Sequence, residues 1–127
     1  MAAGKRAPAK TFRELVVWQK ARQAVPAIYQ ATAAFPVEER YNLALQIRKC
    51  AISIPSNIAE GFGRRGAGEF ARFLTIARGS LFEMQTQLIL AQDLGYLQNV
   101  ECEGLFSMAS EVEFLLDRFL AKVRSSR

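Results

Sequence analysis

Apolar residues recur at steps of three and four through most of the chain, a spacing that predicts amphipathic helices. The third such segment is the most regular, because its steps of four and three alternate without interruption. This spacing is an a/d seam over three heptads. Leu94-Gly95 follows it and predicts a helix end with Gly95 in a left-handed cap. The seam consists of Phe70, Leu74, Ala77, Leu81, Met84, Leu88 and Ala91.

A first helix is predicted from Thr11 to about Ala34. Thr11 followed by Glu14 matches a capping box, in which the two side chains bond each other's backbone N–H groups. Pro26 lies inside this segment and would either bend the helix or end it. Because the apolar pattern continues beyond Pro26, a bend is favoured. The apolar positions are Leu15, Trp18, Ala21, Val25, Ile28 and Thr32.

A second helix is predicted from Pro36 to about Phe62. Proline suits the first helical position, and Glu38 and Glu39 suit the positive end of the helix dipole. Pro55 is an irregularity within the helix. Its buried stripe is predicted at Ala44, Ile47, Ala51, Ile54 and Ile58. The connection to the third helix is predicted at Gly61, Gly63, Gly66 and Gly68.

A fourth helix is predicted to begin at an Asn99 cap, with Glu101 and Glu103 in its first turn. Its apolar positions are Leu105, Met108, Val112, Leu115, Phe119 and Val123. Four helices of about 20 to 28 residues joined by short loops predict an all-α, antiparallel up-down-up-down four-helix bundle. We assign residues 11–124 to this bundle domain and residues 1–10 to a disordered basic tail.

One face of the second helix carries small polar residues, where a solvated helix usually carries lysine and glutamate. Serine and asparagine compete with the helix backbone for hydrogen bonds, so they are costly on a plain surface. The face therefore favours close contact with another helix or chain, and a solvated face around the Pro55 irregularity is the alternative. We call Gln46, Ser53, Ser56, Asn57 and Glu60 the polar stripe. On the third helix, Phe82 and Ile89 lie off the seam and also favour a subunit interface.

Charge is segregated along the chain. Residues 40–78 contain seven bases and two acids, whereas residues 79–117 contain seven acids and no base. Both termini are basic, so the net charge is +5. Basic segments attract phosphate backbones, and oppositely charged halves can also attract each other head to tail, as in a ring. The candidate nucleic-acid contacts are Lys49, Arg64, Arg65 and Arg72.

Several function classes lack the residues that they need. The absence of histidine excludes His-based acid–base catalysis, His-dependent triads and most zinc-site patterns. Cys50 and Cys102 are too far apart in sequence to suggest a metal site, and we predict that both are small buried hydrophobes. The segment GFGRRGAG, residues 61–68, lacks the preceding strand and the Lys-Ser/Thr pair of a phosphate-binding loop. We therefore expect no cofactor.

The chain has no apolar run of 18 residues, so no membrane span is expected. Its first residues, MAAGKRAPAK, have no apolar segment of the kind found in secretory signals. We expect a reduced, cytoplasmic protein, because two cysteines do not suggest the disulfide framework of an exported protein. We expect one domain, because 127 residues of which 50% are hydrophobic suffice for a single core.

Three stretches carry a family resemblance: FRELVVWQKA, YNLALQIRKCAISIPSNIAEGFGRR and EFARFLTIARGSLFEMQTQLILAQDLGY. Over about Phe12 to Tyr96 the sequence resembles the 23S rRNA intervening-sequence proteins, also called S23 proteins. The resemblance implies a four-helix bundle that assembles as a cyclic homopentamer. A more distant relative, the accessory protein of diversity-generating retroelements, is a basic pentamer that binds nucleic acid and a reverse transcriptase. The family motifs identify no catalytic residue in this chain.

Three functional hypotheses follow. The first is a non-enzymatic oligomeric scaffold that binds RNA or DNA through Arg64, Arg65, Arg72 and neighbouring bases, assisted by the termini. The second is a scaffold or accessory subunit for a protein partner, including an enzyme that acts on nucleic acid. The third is an enzyme that uses Glu60 among the serines of the polar stripe, although a serine without an adjacent base is a weak nucleophile.

Overall fold

The computed structural model describes residues 8–126, and every regular element within that range is helical. The four α-helices are α1 Val16–Ala33, α2 Leu43–Gly63, α3 Ala67–Asp93 and α4 Asn99–Ser125, with short 3-10 turns at Phe12–Glu14 and Val37–Glu39. The prediction of an all-α chain with four helices is confirmed. Residues 1–7 of the predicted tail lie outside the described residues.

The first helix begins later than predicted. Thr11 precedes the 3-10 turn and makes no capping bond through its side chain, so the predicted capping box with Glu14 is wrong. Leu15 is extended, with φ −75° and ψ 123°, and α1 starts after it. Across this break Phe12 folds back onto Trp18, and their rings pack edge to face at 5.0 Å. As predicted, α1 continues through Pro26.

The second helix also begins later than predicted. Pro36 precedes the second 3-10 turn instead of opening α2, and Asn42 interrupts the helical backbone. Glu39 holds this corner together, because its carboxylate accepts hydrogen bonds from the Leu43 backbone N–H at 3.2 Å and from the Tyr96 hydroxyl at 3.0 Å. Those two bonds stabilise the turn that precedes α2.

The connection between α2 and α3 is shorter than predicted, because Gly61 and Gly63 belong to α2 and Gly68 to α3. Only Gly66 has a left-handed backbone there, with φ +94°. At the other end of α3, Gly95 has φ +79°, and the Tyr96 N–H bonds the Ala91 carbonyl at 2.9 Å. This is the predicted glycine cap, and it is confirmed.

Helix α4 is capped by Gln98 and not by Asn99. The Gln98 backbone N–H donates to the Glu101 carboxylate at 3.1 Å, and the Asn99 side chain instead accepts from Gln92 of α3 at 2.9 Å. The buried face of α4 is also offset from the prediction. Met108, Leu115 and Phe119 are half-buried at its edge, whereas Cys102, Ala109, Leu116 and Leu120 are buried.

All four helices contribute to a single hydrophobic core. Each of α1 and α3 contacts both α2 and α4, so the helices surround the core in a ring. Fully burying one leucine or isoleucine stabilises the fold by about 1.5–3 kcal/mol. The largest fully buried side chains include Ile28, Ile47, Ile54, Ile58, Leu74, Leu81, Met84, Leu88 and Leu116.

Candidate nucleic-acid interface

Two of the predicted contact residues, Arg64 and Arg72, converge on one aromatic ring. Arg64 follows α2 directly and Arg72 lies in the second turn of α3. Their guanidinium carbons are 5.0 Å and 4.6 Å from the centroid of the Phe73 ring, which is buried at the α2–α3 contact. Cation–π attraction therefore holds both arginines on the same surface.

Each of these arginines also pairs with a nearby glutamate. Arg64 lies 2.9 Å from the carboxylate of Glu60, and Arg72 lies 3.0 Å from that of Glu69. The Arg72 hydrogen bond lowers the pKa of the Glu69 carboxyl and raises the pKa of the Arg72 guanidinium. Both pairs are solvent-exposed, so they contribute little to stability and can be exchanged for phosphate contacts.

The other two predicted contacts differ in position. Arg65 adjoins Arg64, is exposed, and forms no ion pair or side-chain hydrogen bond with any residue in the range 8–126. Lys49 is exposed on α2, about 22 Å along the helix from Arg64 at the α-helical rise. The structure therefore brings Arg64, Arg65 and Arg72 together and leaves Lys49 apart.

The same end of the protein gathers bases from two more parts of the chain. The start of α3 contacts the end of α4, since the Phe70 and Phe119 rings are 5.3 Å apart. The start of α1 also faces the end of α4 across a groove that Leu15, Phe119 and Lys122 help to line. The N-terminal part of α1 and the C-terminal part of α4 thus flank the α2–α3 connection.

We call residues 8–23, 60–78 and 117–126 the basic end; they contain eleven lysines and arginines and four acids. The remaining described residues, which we call the acidic half, contain three arginines and lysines and eight acids. The fold therefore concentrates positive charge at one end, where its long-range field attracts polyanions.

The polar stripe is divided between a contact inside the chain and the open surface. The Ser53 hydroxyl lies 2.8 Å from that of Ser80 on α3, and the Asn57 amide donates to the Ser53 carbonyl at 2.8 Å and to its hydroxyl at 2.9 Å. Gln46, Ser56 and Glu60 are exposed. Glu60, the acid of the catalytic alternative, pairs with Arg64 at 2.9 Å and stays exposed to solvent.

The remaining chemical candidates are two separate thiols. Cys50 and Cys102 are free and buried. Burial raises the pKa of both, and the neighbouring Glu83 carboxylate raises that of Cys50 further. Within residues 8–126, no cluster of three potential metal-ligating carboxylates or thiols occurs, and no helix has the length and apolarity needed to cross a membrane.

The basic end also contains Arg13, Arg118, Lys122 and Arg124, which are not among the predicted contact residues. Each is exposed and lies within the basic end. The blocks of basic charge at both termini were visible in the sequence. Placing them beside Arg64 and Arg65 requires the helix order as well.

These features define a four-helix protein whose described residues gather basic side chains at one end. The 23S rRNA-intervening sequence protein model matches residues 13–118, and the chain belongs to that family. The fold is similar to the crystal structure of a protein of unknown function from the S23 ribosomal protein family of Bacteroides thetaiotaomicron VPI-5482. The TM-score is 0.76 at 22% sequence identity, covering 84% of this chain and 96% of that one. No curated protein sequence matches this chain significantly.

Proposed function

We propose that this protein is a non-enzymatic, homo-oligomeric scaffold that binds RNA or DNA through its basic end. The gathering of three basic segments around Arg64, Arg65 and Arg72 carries this proposal. Arg65 reaches phosphate without breaking a contact within residues 8–126, whereas Arg64 and Arg72 exchange an exposed glutamate for phosphate. Contacts of this kind attach a protein to the nucleic-acid backbone without selecting a sequence.

The proposed architecture is an antiparallel up-down-up-down bundle. Its support is that contacts run in opposite sequence order along neighbouring helices. Between α2 and α3, Ser53 faces Ser80 and Cys50 faces Glu83. Between α3 and α4, Arg78 pairs with Asp117 at 2.7 Å, whereas Gln92 bonds Asn99.

The proposed assembly is a ring of identical subunits, with five as the expected number. Exposed apolar side chains support an interface, among them Ile89 on α3 at 48% exposure and Phe114 on α4 at 58%. Gln46 and Ser56 of the polar stripe supply exposed hydrogen-bonding groups on α2. The mass of the protein in solution, measured before and after nuclease treatment, tests the assembly. A monomer at micromolar concentration would contradict it.

Nucleic-acid binding is tested by fluorescence anisotropy with labelled RNA and DNA at increasing salt. Affinity should fall steeply with salt, because binding to phosphates releases counterions. The double substitution Arg64→Gln/Arg65→Gln should weaken binding and reduce the salt slope by about one for each phosphate that is no longer bound. Arg40→Gln in the acidic half removes the same type of charge and should leave the slope unchanged. Binding that is independent of salt, or equally sensitive to both changes, contradicts the proposal.

Lys49→Gln maps how far the nucleic acid extends along α2. Because Lys49 lies about 22 Å from Arg64, a lower salt slope in this variant would show that the bound strand follows the helix. An unchanged slope would confine the contact to the basic end.

A protein-partner scaffold is the second candidate, and an exposed apolar groove between α1 and α2 favours it. Trp18, Val25, Ile52 and Pro55 help to line that groove. A pull-down from nuclease-treated lysate distinguishes the candidates, because only a direct protein partner survives the nuclease. We place either activity in the cytoplasm, for which the two free, buried thiols are the support.

A further inference from the structure

A small polar cavity lies in the acidic half, beneath the connection between α1 and α2. Its volume is about 140 Å³, and Thr32, Phe35, Arg40, Ala44 and Arg48 are among its lining residues. Among the described residues, no aspartate or glutamate lines it. Arg40 and Arg48 thus line a confined space, and no carboxylate from residues 8–126 lines it to neutralise their charge.

Arg48 is fixed in place from two sides. Its Nε donates to the Thr32 hydroxyl at 2.8 Å and its Nη2 to the Tyr29 carbonyl at 3.3 Å, while the guanidinium carbon lies 4.5 Å from the Tyr29 ring centroid. Thr32 is only 2% exposed, and its own hydroxyl donates to the Ile28 carbonyl. A guanidinium has five N–H donors, so Arg48 retains donors for a ligand.

Arg40, unlike Arg48, is not held by side-chain hydrogen bonds to other residues of the range 8–126. It is exposed and forms no ion pair or side-chain hydrogen bond with another residue of the described range, although two glutamates precede it. The nearer of these, Glu39, is bound to the Leu43 N–H and the Tyr96 hydroxyl. Arg40 therefore keeps its full donor set at the mouth of the cavity.

We infer that this cavity binds a compact oxyanion of the phosphate class, held between the guanidinium groups of Arg40 and Arg48. Planar guanidinium forks match the oxygen spacing of phosphate and bind it through charge-assisted hydrogen bonds. The cavity has room for only a small group, and the surrounding acidic half repels anions at long range, so binding depends on direct contact with the two guanidinium groups. This site is separate from the basic end.

The test titrates inorganic phosphate into the full-length protein at constant ionic strength, monitored by NMR signals of the arginine Nε–H groups and the 37–40 backbone. Saturable shifts at Arg48 and the turn are expected. Arg40→Gln should weaken phosphate binding about tenfold or more. Arg65→Gln, which removes an arginine from the basic end, should leave it within about twofold. A phosphomonoester such as glycerol phosphate should bind like free phosphate if the terminal group alone is recognised.

Three outcomes would overturn the inference. They are the absence of saturable shifts at tens of millimolar phosphate, equal phosphate affinity in Arg40→Gln and the unaltered protein, and an equal loss in Arg65→Gln. Melting temperatures without phosphate show whether Arg40→Gln is folded, and Arg48→Lys provides a second variant that keeps the charge but loses the fork. Because Arg40→Gln should retain RNA binding, failure of this site and failure of the proposed function are distinguishable.

Discussion

Gly61 and Phe73 bring α2 and α3 so close that no side chain fits between them. A β-carbon added to Gly61 would lie 2.7 Å from the β-carbon of Phe73 and 2.9 Å from a ring carbon of Phe70. Neither neighbour moves easily, because the first atom is fixed to the α3 backbone and the second belongs to a packed ring. Glycine at position 61 therefore sets the distance between the helices and, through Phe73, the positions of Arg64 and Arg72.

Gly61→Ala should destabilise the protein by about 1–3 kcal/mol, the usual range for overpacking a well-filled contact. Urea unfolding followed by circular dichroism measures the change. Gly79→Ala is the matched control, because position 79 lies within α3 and a β-carbon added there would have open space to 4 Å among the described residues. That variant should gain about 0.5–1 kcal/mol from better helix propensity. Equal stability of the two variants would refute the close-packing argument.

The hydroxyl pair of Ser53 and Ser80 should contribute measurable coupling between α2 and α3. A double-mutant cycle with Ser53→Ala and Ser80→Ala should give a coupling free energy of about 0.5–1.5 kcal/mol in urea unfolding. Ser56→Ala, an exposed change on the same helix, should alter stability by less than about 0.5 kcal/mol. Strict additivity of the free-energy changes of Ser53→Ala and Ser80→Ala would show that the 2.8 Å contact contributes no coupling free energy.

The spacing of apolar residues predicted a helix well where burial of one helix face alone determines which residues are in the core. Of the α3 seam, Leu74, Leu81 and Leu88 are fully buried, and Gly95 caps the helix as expected. Predicted starts failed where a tertiary contact outweighs a local motif. The Thr11–Glu14 pattern satisfies the capping rule, yet packing of Phe12 on Trp18 places a break at Leu15.

The basic end could be predicted only in part, because it depends on which segments the fold brings together. Arg64 and Arg65 are adjacent in sequence, so the charge pattern alone identifies both. Arg124 lies far from both in sequence, and its position follows from the packing of α4 on α3, where it is within 3.5 Å of the Thr75 hydroxyl. The cavity at Arg40 and Arg48 was not predicted, since it requires the geometry of the turn after α1.

The hydrogen bond from Tyr96 to Glu39 should make stability depend on pH in the alkaline range. Donation to the carboxylate, together with burial, raises the pKa of Tyr96 above its ordinary value of 10.0. A raised folded-state pKa gives stability that is complete below the unfolded pKa and is lost as pH rises through the folded pKa. The stability difference between the unaltered protein and Tyr96→Phe should therefore be constant from about pH 7 to 9 and shrink above about pH 10. A difference that stays constant to about pH 11 would contradict this linkage.

The two buried thiols should react with a maleimide only when the protein opens. Cys50 and Cys102 are 8% and 2% exposed, and their raised pKa values reduce the fraction of reactive thiolate at neutral pH. Lys49→Cys introduces an exposed thiol beside Cys50 and should be labelled at the rate of a free cysteine, as measured by mass spectrometry.

Labelling through opening also ties the reactivity of the buried thiols to stability, since each 1.4 kcal/mol corresponds to about tenfold in an equilibrium constant. Gly61→Ala should therefore accelerate labelling of Cys50 and Cys102 by about tenfold for each 1.4 kcal/mol of measured destabilisation, while leaving the rate at position 49 unchanged. Rapid labelling of Cys50 in the native protein would mean that the α2–α3 contact opens independently of global unfolding.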